Sequence, residues 1–343
     1  MLTLFYIIKN SDARKVMYMY KPQLKRGEPG FSGMRTFMHL PHLKDDLENV
    51  DFAVIGNPFD TGVSYAIGTR FGPAAIREMS RRIGKINTSL DRLDVFEYLS
   101  GIDYGDLLVH PGYIEYSYEA IEEQLAPIFA NKVIPIILGG DHSISLPHLR
   151  AAAKEYGPVS LVQFDSHTDT GRSPDPRKKY SHGTMFSIAV EEGIVDSYSS
   201  IQVGMRGTSI KKNPYQDSRD MGYELLTTDD VRKLEISELC TKIKGRVGDR
   251  PVFLTFDIDF LDPVYAPGTG TPEVGGFTTY EAYQIIRGIA GMNIIGFDIV
   301  EVLPDRDPAY ITALNAANIT FQVLSIIALK KKMDVNNPVV AKA

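Results

Sequence analysis

The sequence predicts the α/β class, a mainly parallel β-sheet with helices on both faces, and three observations predict it. Short apolar runs recur along the chain, several of them apolar throughout, as strands buried on both faces must be. Amphipathic stretches with helical spacing separate these runs. Strand–helix alternation of this kind gives a parallel sheet covered on both sides. No repeat, low-complexity tract or Pro/Gly/Ser linker divides the chain. Residues 31–343 therefore read as one domain behind an N-terminal extension of residues 1–30.

The elements follow in order. DFAVIG (51–56) is the first strand, with helices expected over Pro73–Arg82 and Tyr113–Ala130. VIPIIL (133–138) leads into a helix at Ser145–Tyr156, and VSLVQF (159–164) precedes one at Met185–Glu192. SIQVGM (200–205) and VFLTFD (252–257) are further strands. Thr278 and Thr279 followed by Glu281 give an N-terminal capping pattern to a helix over Thr278–Ala290. NIIGFDIV (293–300) precedes a C-terminal helix over 307–332, ending in Lys330, Lys331 and Lys332, cations that suit a solvated helix end.

Composition narrows the function. A net charge of -6 argues against a nucleic-acid partner, which needs a concentrated basic face. The one cysteine, Cys240, excludes an intrachain disulfide; it reads as a small buried side chain in a polar helical stretch, and a cytoplasmic location fits. No apolar run approaches the roughly 20 residues that span a bilayer, so no membrane partner is expected. The N-terminal MLTLFYII lacks a basic leader and a small-residue cleavage site and is not read as a signal peptide. Met17 and Met19 are alternative starts that would remove residues 1–16.

In open parallel sheets, ligands bind beyond the carboxyl ends of the strands. VIPIIL is followed by Gly139-Gly140-Asp141-His142-Ser143, and VSLVQF by Asp165-Ser166-His167-Thr168-Asp169. VFLTF leads into Asp257-Ile258-Asp259, and NIIGFDIV into Glu301. Alternation in extended chain would point Asp165, His167 and Asp169 one way, and Asp257 with Asp259 likewise. Any one such aspartate is commonly a turn residue, as Asp262-Pro263 reads here. The set is not: with His142 it offers four carboxylates and two imidazoles at one sheet edge. Four uncompensated carboxylates repel one another, and two divalent cations would remove that penalty. Two ions about 3.5–4 Å apart can activate one water between them. The hard, thiolate-free donor set fits manganese best, with nickel the alternative; imidazole also admits zinc or iron.

At these motifs the sequence resembles the ureohydrolase (arginase/agmatinase) family. GGDHS, FDSHTDT and FDIDFLDP match its metal signatures in order and spacing, and GTRFGPAAIR, SHGTMF, VGMRG, APGTGTP and DIVEVLP extend the likeness from about Gly33. HGTMF and the FLTFDIDFLDP–APGTGTP stretch look most like the agmatinase branch. The resemblance implies a three-layer α/β/α sandwich, assembled as a homo-oligomeric trimer or hexamer. It implies His142, Asp165, His167, Asp169, Asp257 and Asp259 as ligands of two metal ions. It makes His182 a proton shuttle or general acid, Glu301 the carboxylate that holds a guanidinium, and Asp169 the acceptor of the nucleophile's proton. Ser166 stands where the family usually has alanine, and Phe260 and Leu303 replace smaller or more polar residues.

The reaction implied is hydrolysis of a small guanidino substrate to urea and an amine, with agmatine giving putrescine ranked first. The loop GRSPDPRKKY carries Arg172, Arg177, Lys178 and Lys179 and reads first as a solvated loop. Arg172 at the pocket mouth would instead favour a carboxylate-tailed substrate such as guanidinobutyrate, and a tight apolar pocket near Leu303 and Phe260 would favour guanidine. A catalytically silent subunit of a hetero-oligomer is a further alternative, although all six ligand positions are intact. A mononuclear zinc deacetylase would need only one metal's ligands.

Overall fold

The structure, a computed structural model, describes residues 19–23, 29–173 and 175–336. The readings of MLTLFYII and of Met17 as a start lie outside the described residues. The chain runs β1 (Phe52–Gly56), α1 (Gly72–Ser80), a short hairpin of β2 (Ile86–Asn87) and β3 (Leu93–Asp94), α2 (Val95–Tyr98) and β4 (Gly101–Asp106). It continues through α3 (Ile114–Ala130), β5 (Ile134–Leu138), α4 (Ser145–Tyr156), β6 (Ser160–Phe164), α5 (Met185–Glu191) and β7 (Ile201–Met205). Then come α6 (Gln216–Asp220), β8 (Glu224–Thr227), α7 (Thr228–Val231), α8 (Ile236–Val247), β9 (Val252–Asp257), α9 (Thr279–Gly288), β10 (Ile294–Val300) and α10 (Ile311–Asn336).

Eight strands form one parallel sheet in the order β4-β1-β5-β10-β9-β6-β7-β8. Successive strand residues alternate between two cores, as pleating requires. Phe52 and Val54 face one core while Ala53 and Ile55 face the other, and Val162 and Leu161 divide the same way. Helices α1, α2, α8, α9 and α10 cover the first face; α3, α4 and α5 cover the second. The three-layer α/β/α expectation is met. β9 and β10 are the last strands made yet sit between β5 and β6, so four adjacent central strands end side by side.

The expected capping box is present: Thr278 Oγ1 accepts from Glu281 N–H at 3.1 Å, and Glu281 Oε2 accepts from Thr278 N–H at 2.7 Å. Cys240 is buried against α9, and burial pushes its thiol pKa up. The three lysines do not end the last helix. α10 runs on to Asn336, with Lys330 paired to Asp334, Lys331 to Asp51, and Lys332 over the Tyr98 ring. These contacts extend the helix past its expected C-terminus. Residues 308–335 are apolar and long enough to cross a membrane, but 78% of the most apolar stretch is buried in the domain, so core packing accounts for that composition. Two sheet-edge strands escaped the sequence reading: GIDYGD of β4 mixes glycine and acid, and β8 is four residues long. Of the expected N-terminal extension, Tyr20 lies along β4; its N–H donates to Ser100 Oγ at 2.8 Å and its carbonyl accepts from Gly101 N–H at 2.9 Å.

Candidate active site

Three of the four central strands, β5, β6 and β9, end in a tight turn closed by an aspartate at the strand exit. The Asp141 carboxylate accepts from Ser143 N–H at 2.9 Å, Asp165 from His167 N–H at 2.7 Å, and Asp257 from Asp259 N–H at 2.8 Å. This side-chain-to-backbone bond is what aspartate does best at a strand exit. It corrects the expectation of extended alternation: beyond Phe164 the chain bends, and residues 258–260 form a 3-10 turn. Turn geometry, not pleat, brings the acids together. Gly140 permits the approach of β5 to the 57–60 segment, since a Cβ there would lie 2.0 Å from the Phe59 carbonyl.

Two clusters result, sharing Asp165: His142, Asp165 and Asp169 in one, Asp165, His167 and Asp259 in the other. His142 Nδ1 lies 3.1 Å from Asp165 Oδ2, 3.0 Å from Asp169 Oδ2 and 3.3 Å from Asp257 Oδ2. His142 Nε2 is 2.8 Å from Thr255 Oγ1, so Nδ1 can present its lone pair to the carboxylates. His167 Nδ1 lies 3.0 Å from Asp259 Oδ2. His142 Nδ1 and Asp259 Oδ2 are both buried without a well-formed hydrogen bond among the described residues. Acidic and imidazole ligand atoms converging in this way, most of them buried, fit a pair of divalent cations. All six predicted metal ligands are brought together.

The electrostatics point the same way. Burial and the Asp165 charge push the Asp169 carboxyl up to about 6, and burial with the charges of Asp259 and Asp165 holds Asp257 well above the usual carboxylate range. Burial would also raise Asp165, but both imidazoles outweigh it and hold it below its ordinary value. Burial alone would lower His142 and His167; the surrounding carboxylates raise both.

Glu301, after β10, is 1% exposed. Its Oε1 accepts from His142 N–H at 2.9 Å and lies 3.0 Å from His182 Nδ1. Its Oε2 is buried without a hydrogen-bond partner among the described residues. A Cβ on Gly270 would lie 3.6 Å from both Glu301 Oε2 and the Ala66 carbonyl oxygen, so the missing side chain leaves a slot between two acceptors. Burial would lower His182, but Glu301 and the charges of Asp169 and Asp141 push it up to about 9. Its Nε2 faces Ser64, 3.1 Å from the backbone N–H and 2.7 Å from Oγ. Asp169 and Glu301 both have left-handed backbone, with φ of 51° and 65°.

Arg172 is not drawn into this group; its guanidinium pairs with Glu191 at 3.0 Å and is largely exposed. Phe260 is stacked on Phe277 in the core rather than lining the slot. Leu303 is also buried, beneath Gly68. The Ser166 hydroxyl, the departure from the expected alanine, donates to Asp259 Oδ1 at 2.7 Å and so fixes that ligand. Sequence reasoning missed Thr255, Ser64 and the slot at Gly270. Alternation along β9 places Thr255 on the Asp257 side; nothing marks Ser64, an exposed loop serine, in advance.

The profile described as Arginase family matches residues 50–325. The chain is 42% identical to the mitochondrial guanidino acid hydrolase of Homo sapiens over 292 residues, 85% of this chain and 82% of that one. It is 40% identical to the mitochondrial agmatinase of Gallus gallus over 301 residues, 88% of each. Among solved structures it is similar to the proclavaminate amidino hydrolase from Streptomyces clavuligerus, with a TM-score of 0.84, 34% identity, and coverage of 88% of this chain and 100% of that one.

Proposed function

We propose, for a chain that belongs to the arginase family and is a metal-dependent hydrolase of guanidino compounds, that its substrate is agmatine, cleaved to putrescine and urea. The observation that carries guanidinium recognition is the buried, unpartnered Glu301 Oε2 facing the Ala66 carbonyl across Gly270. A planar cation with several N–H donors suits a slot walled by a carboxylate and a carbonyl. For the tail, Glu273 supports an ammonium: its carboxylate lies 4.0 Å from His167 Nε2 at the edge of the metal cluster. The nearby cations are engaged elsewhere, Arg172 with Glu191 and Arg206 with the carbonyls of Gly204, Asp259, Leu261 and Glu273. The human relative favours a second reading, a guanidino acid in place of agmatine.

His142, Asp165, Asp169 and Asp257 would hold one metal ion, and Asp165, His167 and Asp259 the other, with manganese preferred for these oxygen-rich donors and nickel the alternative. When bound, the two ions would supply a water ionised at neutral pH and positive charge opposite the developing oxyanion. Glu301 orients the guanidinium carbon toward the cluster. Asp169 takes the proton released by the attacking water and passes it on to the departing amine, which needs this proton and one from His182 to leave as an ammonium cation. His182 Nδ1 delivers a proton to the departing nitrogen, which cannot leave as an amide anion. Urea release by the purified protein, reloaded with manganese or nickel, tests the reading on agmatine, arginine, guanidinobutyrate and guanidine. The highest kcat/KM is expected on agmatine, and agmatine as the poorest substrate would overturn the assignment.

A further inference from the structure

One exposed side chain, Ser64, meets the ring nitrogen of His182 that does not face Glu301. Glu301 is 2% exposed at its side chain and His182 13%, while Ser64, next in line, is exposed. A backbone N–H can only donate, so in the neutral ring the Ser64 N–H at 3.1 Å makes His182 Nε2 the acceptor. The imidazole proton then sits on Nδ1, facing Glu301 Oε1 at 3.0 Å. The Ser64 hydroxyl, 2.7 Å from Nε2, donates to the same lone pair. The contact is built rather than incidental. His182 N–H donates to the Gly62 carbonyl at 3.0 Å, and Gly62 N–H donates to Asp141 Oδ2 at 2.7 Å. The 62–64 loop is thus clipped both to the histidine and to the turn that carries His142.

We propose that Ser64 is a positioning and proton-relay residue, holding His182 in its Nδ1–H tautomer and connecting Nε2 to solvent. It rests on the reading of His182 as the acid that serves the departing amine. In the delivering direction the Nδ1–H bond breaks toward the leaving nitrogen, the Ser64 Oγ–H proton moves to Nε2, and a solvent proton replaces it on Oγ. In the resetting direction Nδ1 regains a proton from the forming urea, and the Nε2 proton leaves through Oγ. The cycle leaves no net charge on either residue, as conversion of a guanidinium cation and water into urea and an ammonium cation requires.

The test uses the metal-loaded enzyme and the variants Ser64→Ala, Ser64→Thr and His182→Ala, assayed at low buffer concentration with and without 2,6-lutidine, too hindered to ligate a metal. Positioned proton transfer typically contributes 10²–10⁴-fold, so Ser64→Ala should lower kcat by about 10-fold with KM within about twofold. Its metal content should stay unchanged, lutidine should raise its rate toward wild type, and Ser64→Thr should restore turnover. Wild-type kcat in Ser64→Ala alongside an impaired His182→Ala would overturn the relay while keeping the histidine's role. A deficit that neither lutidine nor threonine relieves would also overturn it, marking a packing role. Unimpaired His182→Ala would remove the acid assignment and the relay together.

Discussion

Glu301 and His182 are joined through one oxygen: Oε1 lies 3.0 Å from His182 Nδ1 while also accepting the His142 backbone N–H, and this leaves Oε2 free in a buried slot. One carboxylate thereby orients the acid, fastens the turn carrying a metal ligand, and offers a second oxygen to a cation.

Glu301→Gln keeps an oxygen for the His142 N–H but removes the charge. Hydrogen bonds to charged groups contribute about 1.5–3 kcal/mol, so kcat/KM for a guanidino substrate should fall by on the order of 10²-fold. Steady-state kinetics checks this, and an unchanged kcat/KM would dismiss Glu301 as the guanidinium partner.

Gly270→Ala should fill the slot without disturbing the fold, because the added methyl meets its neighbours at 3.6 Å, an ordinary contact. KM should rise by roughly 10-fold or more while metal content and unfolding temperature hold, since misplacement of about 1 Å can itself cost two decades. A wild-type KM would mean the guanidinium binds elsewhere.

Asp165 is common to both ligand clusters, whereas Asp259 belongs to one. Elemental analysis after equilibration with manganese should therefore find Asp259→Asn retaining about one ion per chain and Asp165→Asn retaining fewer. Equal retention in the two variants would contradict a shared ligand.

The metal-free protein should lose stability as pH rises from about 4 to about 9. Asp169 is pushed up to about 6 and Asp141 to about 7, both first by burial, so between the ordinary carboxylate value and those values the folded chain holds protons the unfolded chain has released. His182, raised to about 9, extends the same sign above its ordinary value: its contribution is complete below about 6.5 and lost through about 9. Asp165 is shifted the other way and acts only toward lower pH. Urea unfolding at pH 5, 7 and 9, with chelator and with manganese, should show a metal-dependent stabilisation that grows with pH. A gap that is flat or shrinks would refute this account.

The six ligand positions were legible because they sit where a parallel sheet exposes its strand ends, and apolar runs locate those ends well. How they converge was not legible: extended alternation points Asp257 and Asp259 the same way, whereas aspartate-closed turns carry Asp257 toward His142 and Asp259 toward His167. Edge strands β4 and β8 lacked the continuous apolar signature because only interior strands are covered on both sides by neighbours and helices. Ser64 and Ala66 were beyond reach, since a serine between Val63 and Tyr65 in a loop carries no periodicity. Arg172 shows the converse: the sequence leaves its charge open to solvent or to a substrate, and the structure pairs it with Glu191 on a solvated loop.

The left-handed backbone at Asp169 and Glu301 sets improvement of the fold against the chemistry. Non-glycine residues in that region cost on the order of 1 kcal/mol or more each, and glycine would relieve it. At 301 glycine would strand the buried His142 N–H that Glu301 accepts, so selection of the metal-free protein for heat resistance alone should enrich glycine at 169 and not at 301, yielding a hardier protein that has discarded a side chain it was built to present.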